Sequence, residues 1–447
     1  MRYRRFPWRS GGDRGASALA VRRAAAGFLL LCAVLPPTAA RALDLPGLLA
    51  EVQSQNPMLV ARRAMAQAAG ERVSRAGAWD NPMLEFGAVN VPSNGRFDME
   101  PMTMTMVGLA QKFPLFGSRG LARQAARDAA SAAVSAAEFS RFEALGMAWE
   151  SYADAFYAGE LARTAGHHRG AMNQLLESAR ARVASGTGRL DDALRAEAEG
   201  ARVLVNLSDF EAERHSAWAR LQALRGVGPE GEVDTLVPFA EAAVPTDPSV
   251  WLAAVSPGHP RLRELDATVS RYRNEARSAR RMVWPDIELR GSYSWRRTLE
   301  DGTRQDNMFS ATAAIMLPLF ASRRELAEAR EMDAMARAGS AERLGSELEL
   351  RQQVSVACSE ARAARRNVRL LADTVLVVQR RALEASWASY RAGATDLWRV
   401  FEASHELYNE EIALIRARQA LARAEARLVA LTGRVDLFGV VLPPVKE

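Results

Sequence analysis

Pro114-Leu115-Phe116-Gly117-Ser118-Arg119 and Pro318-Leu319-Phe320-Ala321-Ser322-Arg323 share five of six residues at an offset of 204. The chain repeats itself, and a repeat of this length governs every local reading. Working outward, Asn56-Pro57 has a counterpart in His259-Pro260, and Trp79-Asp80-Asn81-Pro82 in Trp284-Pro285. Downstream, Gly186-Thr187-Gly188-Arg189-Leu190 parallels Gly393-Ala394-Thr395-Asp396-Leu397 at an offset of 207. Leu221 to Gly226 parallels Leu428 to Gly433 at the same offset. Ordered anchors with a slowly drifting offset define a tandem duplication. The first repeat covers 43–225 and the second 259–433, with a Gly- and Pro-rich linker at 226–258 and a tail at 434–447.

Each repeat has the same plan. A helix, at about 58–77 and about 261–282, leads to a Trp/Pro break and two strand-like segments. The corner motif then opens a very long helix, a Gly-containing turn ends it, and a second helix returns. From Gly120 to Ala184 there is no proline, nor over 324–392. At about 1.5 Å per residue each stretch makes a rod of roughly 100 Å. Phe142, Leu145, Trp149, Tyr152 and Phe156 recur at coiled-coil spacing, as do Val368, Leu371, Val375 and Val378.

The strand segments are 83–91, 102–113, 286–296 and 308–317. Ile287, Leu289, Gly291, Tyr293 and Trp295 alternate with Asp286, Glu288, Arg290, Ser292, Ser294 and Arg296. Strands of about ten residues, apolar on one face and polar on the other, suit a membrane β-barrel; a half-buried soluble hairpin has the same pattern. Four strands are too few to close a barrel, because an open edge cannot sit in lipid and the smallest barrels have about eight. Three chains would supply twelve.

Charge excludes a nucleic-acid binder. The 447 residues carry a net charge of +6. Arg2, Arg4, Arg5, Arg9, Arg14, Arg22, Arg23 and Arg41 against the single acid Asp13 place all of the excess in residues 1–42. The remainder is nearly neutral, so a dispersed basic groove has no compositional support. The Arg-rich start, the short apolar run Ala24 to Leu35 and the Ala40-Arg41-Ala42 site read as a signal peptide cleaved before Leu43. Beyond it only Cys358 remains, so no intramolecular disulfide supports the fold.

Asn56-Pro57, Gly77 to Pro82, Gln111 to Arg119 and the duplicated turns together resemble the TolC family of outer membrane factors, the outer membrane efflux proteins, over essentially the whole mature chain. The resemblance implies an α+β membrane protein. It implies a homotrimer whose twelve-stranded barrel crosses the outer membrane of a Gram-negative bacterium and continues as a periplasmic helical coiled-coil barrel. It implies a passive conduit rather than an enzyme, without cofactor, working with a periplasmic adaptor (membrane fusion) protein and an inner-membrane pump of RND type. Gln111 to Arg119 looks most like members serving heavy-metal pumps.

In that family the helical turns form the periplasmic entrance and the adaptor contact. The resemblance places the entrance at Tyr390, Gly393, Asp396, Arg399 and Glu402, and adaptor contacts at Gly186, Gly188, Arg189, Leu190, Gly393 and Leu397. The barrel-to-helix corners are Pro114, Phe116, Arg119, Pro318, Phe320 and Arg323. Family members carry two inward acids after the second turn; here Arg399 replaces the first and Glu402 keeps the second. A solvated helix face with i, i+3 pairing explains Asp396, Arg399 and Glu402 equally well.

Other residues carry less. Met99, Met102, Met104 and Met106 cluster and suit soft cations, but Met102, Met104 and Met106 share one face of a strand and read better as lipid-facing or trimer packing. His167-His168, His215, His259 and His405 lack ligand spacing, and no zinc site, catalytic triad or phosphate loop is present in the sequence. The competing classes are a drug or type I secretion channel, a soluble periplasmic coiled-coil adaptor or scaffold, and an exported enzyme.

Overall fold

A computed structural model describes residues 42–443 apart from 94, 230–234, 239–244 and 246. The expected signal segment lies almost wholly outside these residues, as do much of the linker and the end of the tail. The element order is α1 (Leu45–Gln55), α2 (Pro57–Gly77), β1 (Met83–Val89), β2 (Met104–Phe113), α3 (Ser118–Ala184), α4 (Leu190–Arg225), α5 (Pro248–Leu252), α6 (Pro260–Arg281), β3 (Ile287–Arg296), β4 (Met308–Ile315), α7 (Glu325–Leu370), α8 (Leu376–Arg391) and α9 (Leu397–Thr432).

The anchors Asn56-Pro57 and His259-Pro260 do the same two jobs with different chemistry. Asn56 Oδ1 accepts from Leu59 N at 3.1 Å, capping α2, while its Nδ2 donates to Leu224 O at 2.7 Å. His259 Nδ1 accepts from Arg261 N at 3.3 Å, capping α6, while its Nε2 donates to Leu431 O at 2.9 Å. Each cap satisfies an orphan helix N–H and holds the end of the returning helix of its own repeat. Proline follows each cap, where the missing N–H costs nothing.

The four strands form one antiparallel sheet in the order β1-β2-β3-β4, so β2 and β3 join the two repeats. Register places Leu84, Phe86, Leu109, Leu289, Tyr293, Trp295 and Phe309 on one face. That face is exposed, Phe86 and Phe309 at 76% and 73%. Glu85, Lys112, Glu288, Arg290, Ser292, Ser294 and Thr312 share the other, more sheltered face. Charges there are paired: Lys112 with Asp286 at 2.9 Å, and Arg290 with Glu85 at 3.3 Å and with Glu288 at 3.0 Å. Met104 and Met106 lie on this sheltered face, opposite Arg296 and Ser294, and Met102 precedes the strand. Met104 and Met106 thus share one strand face as expected, but it is the polar one, and Met102 stands outside the strand.

Two short helices escape the sequence reading. Asp44 caps α1 and Asp247 caps α5, each followed by proline in the first turn. In α5, Trp251 is fully buried and its Nε1 donates to Pro245 O at 3.0 Å, so part of the Pro-rich linker is packed structure.

The second long rod is interrupted by a π-helical turn at Leu371–Val375. The extra residue rotates the downstream face, as π-bulges do. Leu376 becomes the buried residue and Val378 is exposed, which corrects the expected seam Val368-Leu371-Val375-Val378. In α3 the seam holds: Phe142, Leu145, Trp149 and Tyr152 are all buried.

Candidate channel entrance and membrane junction

The turns that end the long helices are built by glycine. Gly186 has φ +71° and Gly393 +70°, the left-handed conformation that closes a helix. In the first turn, Thr187 N and Gly188 N both donate to Arg182 O at 2.9 Å. A Cβ at Gly188 would lie 2.8 Å from Arg182 Cβ and 2.9 Å from Val183 N, so no larger residue fits. In the second turn, Gly393 N donates to Tyr390 O at 3.0 Å and Ala394 N to Ser389 O at 2.9 Å.

Beneath the turns, Met172, Leu175, Ala179, Ala193, Ala196, Leu397, Val400 and Phe401 form a core, with Trp387, Tyr390 and Trp398 on its edge. Arg182 Nη1 donates to the Tyr390 hydroxyl at 2.8 Å, and its guanidinium lies over the ring at 5.5 Å. Arg195 lies over Trp398 at 5.0 Å. Side chains from α3 and α4 thus hold the α8–α9 turn. Leu397, expected at the adaptor contact, is buried and anchors that turn, while Leu190 of the first turn is exposed.

Asp396 caps α9, accepting from Arg399 N at 3.3 Å. The Arg399 guanidinium meets Glu402 Oε2 at 3.3 Å, both side chains exposed. At the first turn, Arg189 pairs with Asp191 at 2.9 Å. Each of the two turns therefore carries a paired charge.

The two near-identical corners fold differently. At the first, Phe116 has φ +64° and Gly117 +79°, and α3 begins at once at Ser118. Arg119 hydrogen-bonds the Gly77 carbonyl and covers Trp79 at 3.7 Å, while Phe116 packs on Trp284 at 5.2 Å. At the second, Ala321 replaces Gly117, and no residue there has positive φ. The chain instead winds through turns from Leu319, with Leu326 N donating to Ala321 O at 2.9 Å, and α7 starts only at Glu325. A Cβ disfavours the left-handed conformation, so the turn of the first corner is not repeated. Arg323 is left exposed and Phe320 is 76% exposed, correcting the expectation that both corners open a helix alike.

Strands with one apolar face, set on long paired helices, define the class. The sequence profile of the outer membrane efflux protein family matches residues 48–227 and again 253–434, and the chain belongs to that family. It is 25% identical over 436 residues to the outer membrane efflux protein BepC of Brucella suis biovar 1 (strain 1330), covering 94% of this chain and 92% of BepC. Among solved structures, CusC superposes with a TM-score of 0.73 at 16% identity over 87% of this chain and 91% of that one. The open state of the MtrE outer membrane channel of Neisseria gonorrhoeae superposes with a TM-score of 0.73 at 18% identity, over 87% and 88%. These likenesses show the fold, that of outer membrane channels. Among the described residues no helix is long and apolar enough to cross a membrane, and no group of His, Cys, Asp and Glu could hold a metal ion.

Proposed function

We propose that the chain is the outer membrane channel of a tripartite efflux system, a passive conduit made of three copies. One observation carries this reading: the sheet presents an exposed apolar face, a sheltered polar face, and edge strands β1 and β4 that are each paired on one side only among the described residues. Pairing β4 of one copy with β1 of the next closes twelve strands, removes the edges and puts the apolar face in lipid. The helices then form the periplasmic tunnel, and the Gly186 and Gly393 turns its entrance, where a periplasmic adaptor and an RND pump engage. The cargo reading, heavy-metal cations, rests on the resemblance of Gln111 to Arg119 to channels of that kind. Paired charges on the sheltered face give the wall no excess of either sign, so the pump selects the cargo.

Deleting the gene and measuring sensitivity to zinc, copper and cadmium alongside dyes and detergents tests both levels. Metal sensitivity alone supports the cargo reading. Dye and detergent sensitivity alone replaces it with a drug channel, and unchanged resistance to every compound counts against efflux.

A further inference from the structure

His168, on α3, is 7% exposed where the first helix pair, α3–α4, meets α9 of the second. Its ring lies flat on Tyr408, centroids 4.2 Å and planes 3° apart, and 6.2 Å from the His405 ring. His168 Nε2 has no hydrogen-bond partner among the described residues. Buried ring nitrogens are ordinarily paired, so this one is unusual. Few polar groups face it. From α4 comes Glu199, 8% exposed, with Oε1 2.8 Å from His405 Nδ1 and Oε2 3.2 Å from Arg202. Asn206, also on α4, donates to the Tyr408 hydroxyl at 3.4 Å. From α9 come His405 and Tyr408, while His167 and Arg169 of α3 point to solvent. The carboxylate of the group, Glu199, is already paired with Arg202 and lies beside His405.

We propose that His168 and His405 form an acid-sensitive latch between the two helix pairs, in which a proton on His168 releases α9 from α3 and favours a wider tunnel entrance. The inference rests on the channel reading above. A neutral His168 packs its ring on Tyr408 at only the cost of one unpaired neutral nitrogen. A charged one adds a cation beside His405 and Arg202, with one carboxylate among them and its new N–H buried without an acceptor. Separation of the pairs hydrates the ring and removes that penalty. Burial, helped by His405, pulls the titration of His168 down from 6.5 to about 4. The packed arrangement thus favours the neutral ring. Its contribution is complete above the ordinary histidine range and is lost progressively as pH falls towards about 4.

The test uses the full assembly in detergent, with Cys358 changed to Ser and spin labels at Arg169→Cys and Asn409→Cys, both exposed positions. From about pH 7.5 to about pH 4.5 the label separation is expected to lengthen, and bilayer conductance to rise several-fold. His168→Phe keeps a ring on Tyr408 but takes no proton, so it should hold both readings at their neutral-pH values. His168→Gln carries the same comparison if the Phe variant does not assemble. A separation that stays constant with pH, or that lengthens equally in the variants, overturns the latch even if the channel conducts normally. A pH-dependent separation without channel conductance supports the latch and counts against the channel reading.

Discussion

Arg182 Nη1 donates to the Tyr390 hydroxyl at 2.8 Å, tying the last turn of α3 to the last turn of α8. The bond joins the two repeats where both long rods end. Removing it by Tyr390→Phe keeps the ring beneath the guanidinium but removes the acceptor. A partly exposed bond of this kind is worth about 1 kcal/mol, or roughly a fivefold rise in the ratio of loosened to packed tips. Bilayer recordings should show more frequent large-conductance events in Tyr390→Phe and in Arg182→Ala, and a trimer of unchanged mass. Conductance identical to the parent in both would remove this bond from gating.

The Arg399–Glu402 pair makes a prediction about ion preference. Arg399→Ala leaves Glu402 without its partner, and a threefold axis makes three such acids into a ring. Reversal potentials in a salt gradient should move towards cation preference, while Arg399→Ala,Glu402→Gln should return near the parent value. No movement in the single variant would place the pair on a solvated outer face.

The glycine turns differ in what they tolerate. A Cβ at Gly393 meets nothing within 4 Å, so Gly393→Ala suffers only the left-handed backbone penalty of about 1–2 kcal/mol. Gly393→Asn should cost less, because asparagine visits that conformation. Gly188→Ala meets Arg182 at 2.8 Å and should distort the first turn more. Thermal melting of the three variants ranks them: Asn mildest, Gly188→Ala worst.

His259 stands where the first repeat has Asn56, and burial pushes its titration below the ordinary histidine range. A lowered value means the neutral ring supports the fold above about pH 6.5 and loses that support as pH falls. His259→Asn should therefore keep the cap and flatten the acid side of the stability curve. His259→Ala should cost about 1–2 kcal/mol at neutral pH by losing the cap. Melting temperature across pH measures both.

Much of this architecture was legible from the sequence because duplication supplied each signal twice. The alternation from Ile287 to Trp295 is a backbone property, so sheet faces could be assigned before pairing was known. What escaped depended on one atom or on distant contact. The single methyl of Ala321 moved the second helix start beyond its counterpart. One inserted residue at Leu371–Val375 rotated the seam that periodicity had extended straight through. The caps Asp44, ahead of the first expected helix, and Asp247, in the expected linker, each stand before a proline in the first turn, a local signal that marks a helix start. Leu397 as core follows only once α9 packs against α3 and α4. His168 and His405, far apart in the chain, looked scattered until those helices met.

The account stands or falls on three copies closing one barrel. Native mass spectrometry of the protein extracted from isolated outer membranes is the most direct measurement. The account predicts a detergent-dependent particle of three chains, and Phe309→Arg, a charge on the lipid-facing side costing about 2–4 kcal/mol at mid-membrane, should deplete it more than Ser310→Arg on the sheltered face. A monomer recovered in the soluble periplasmic fraction, indifferent to both substitutions, would contradict it.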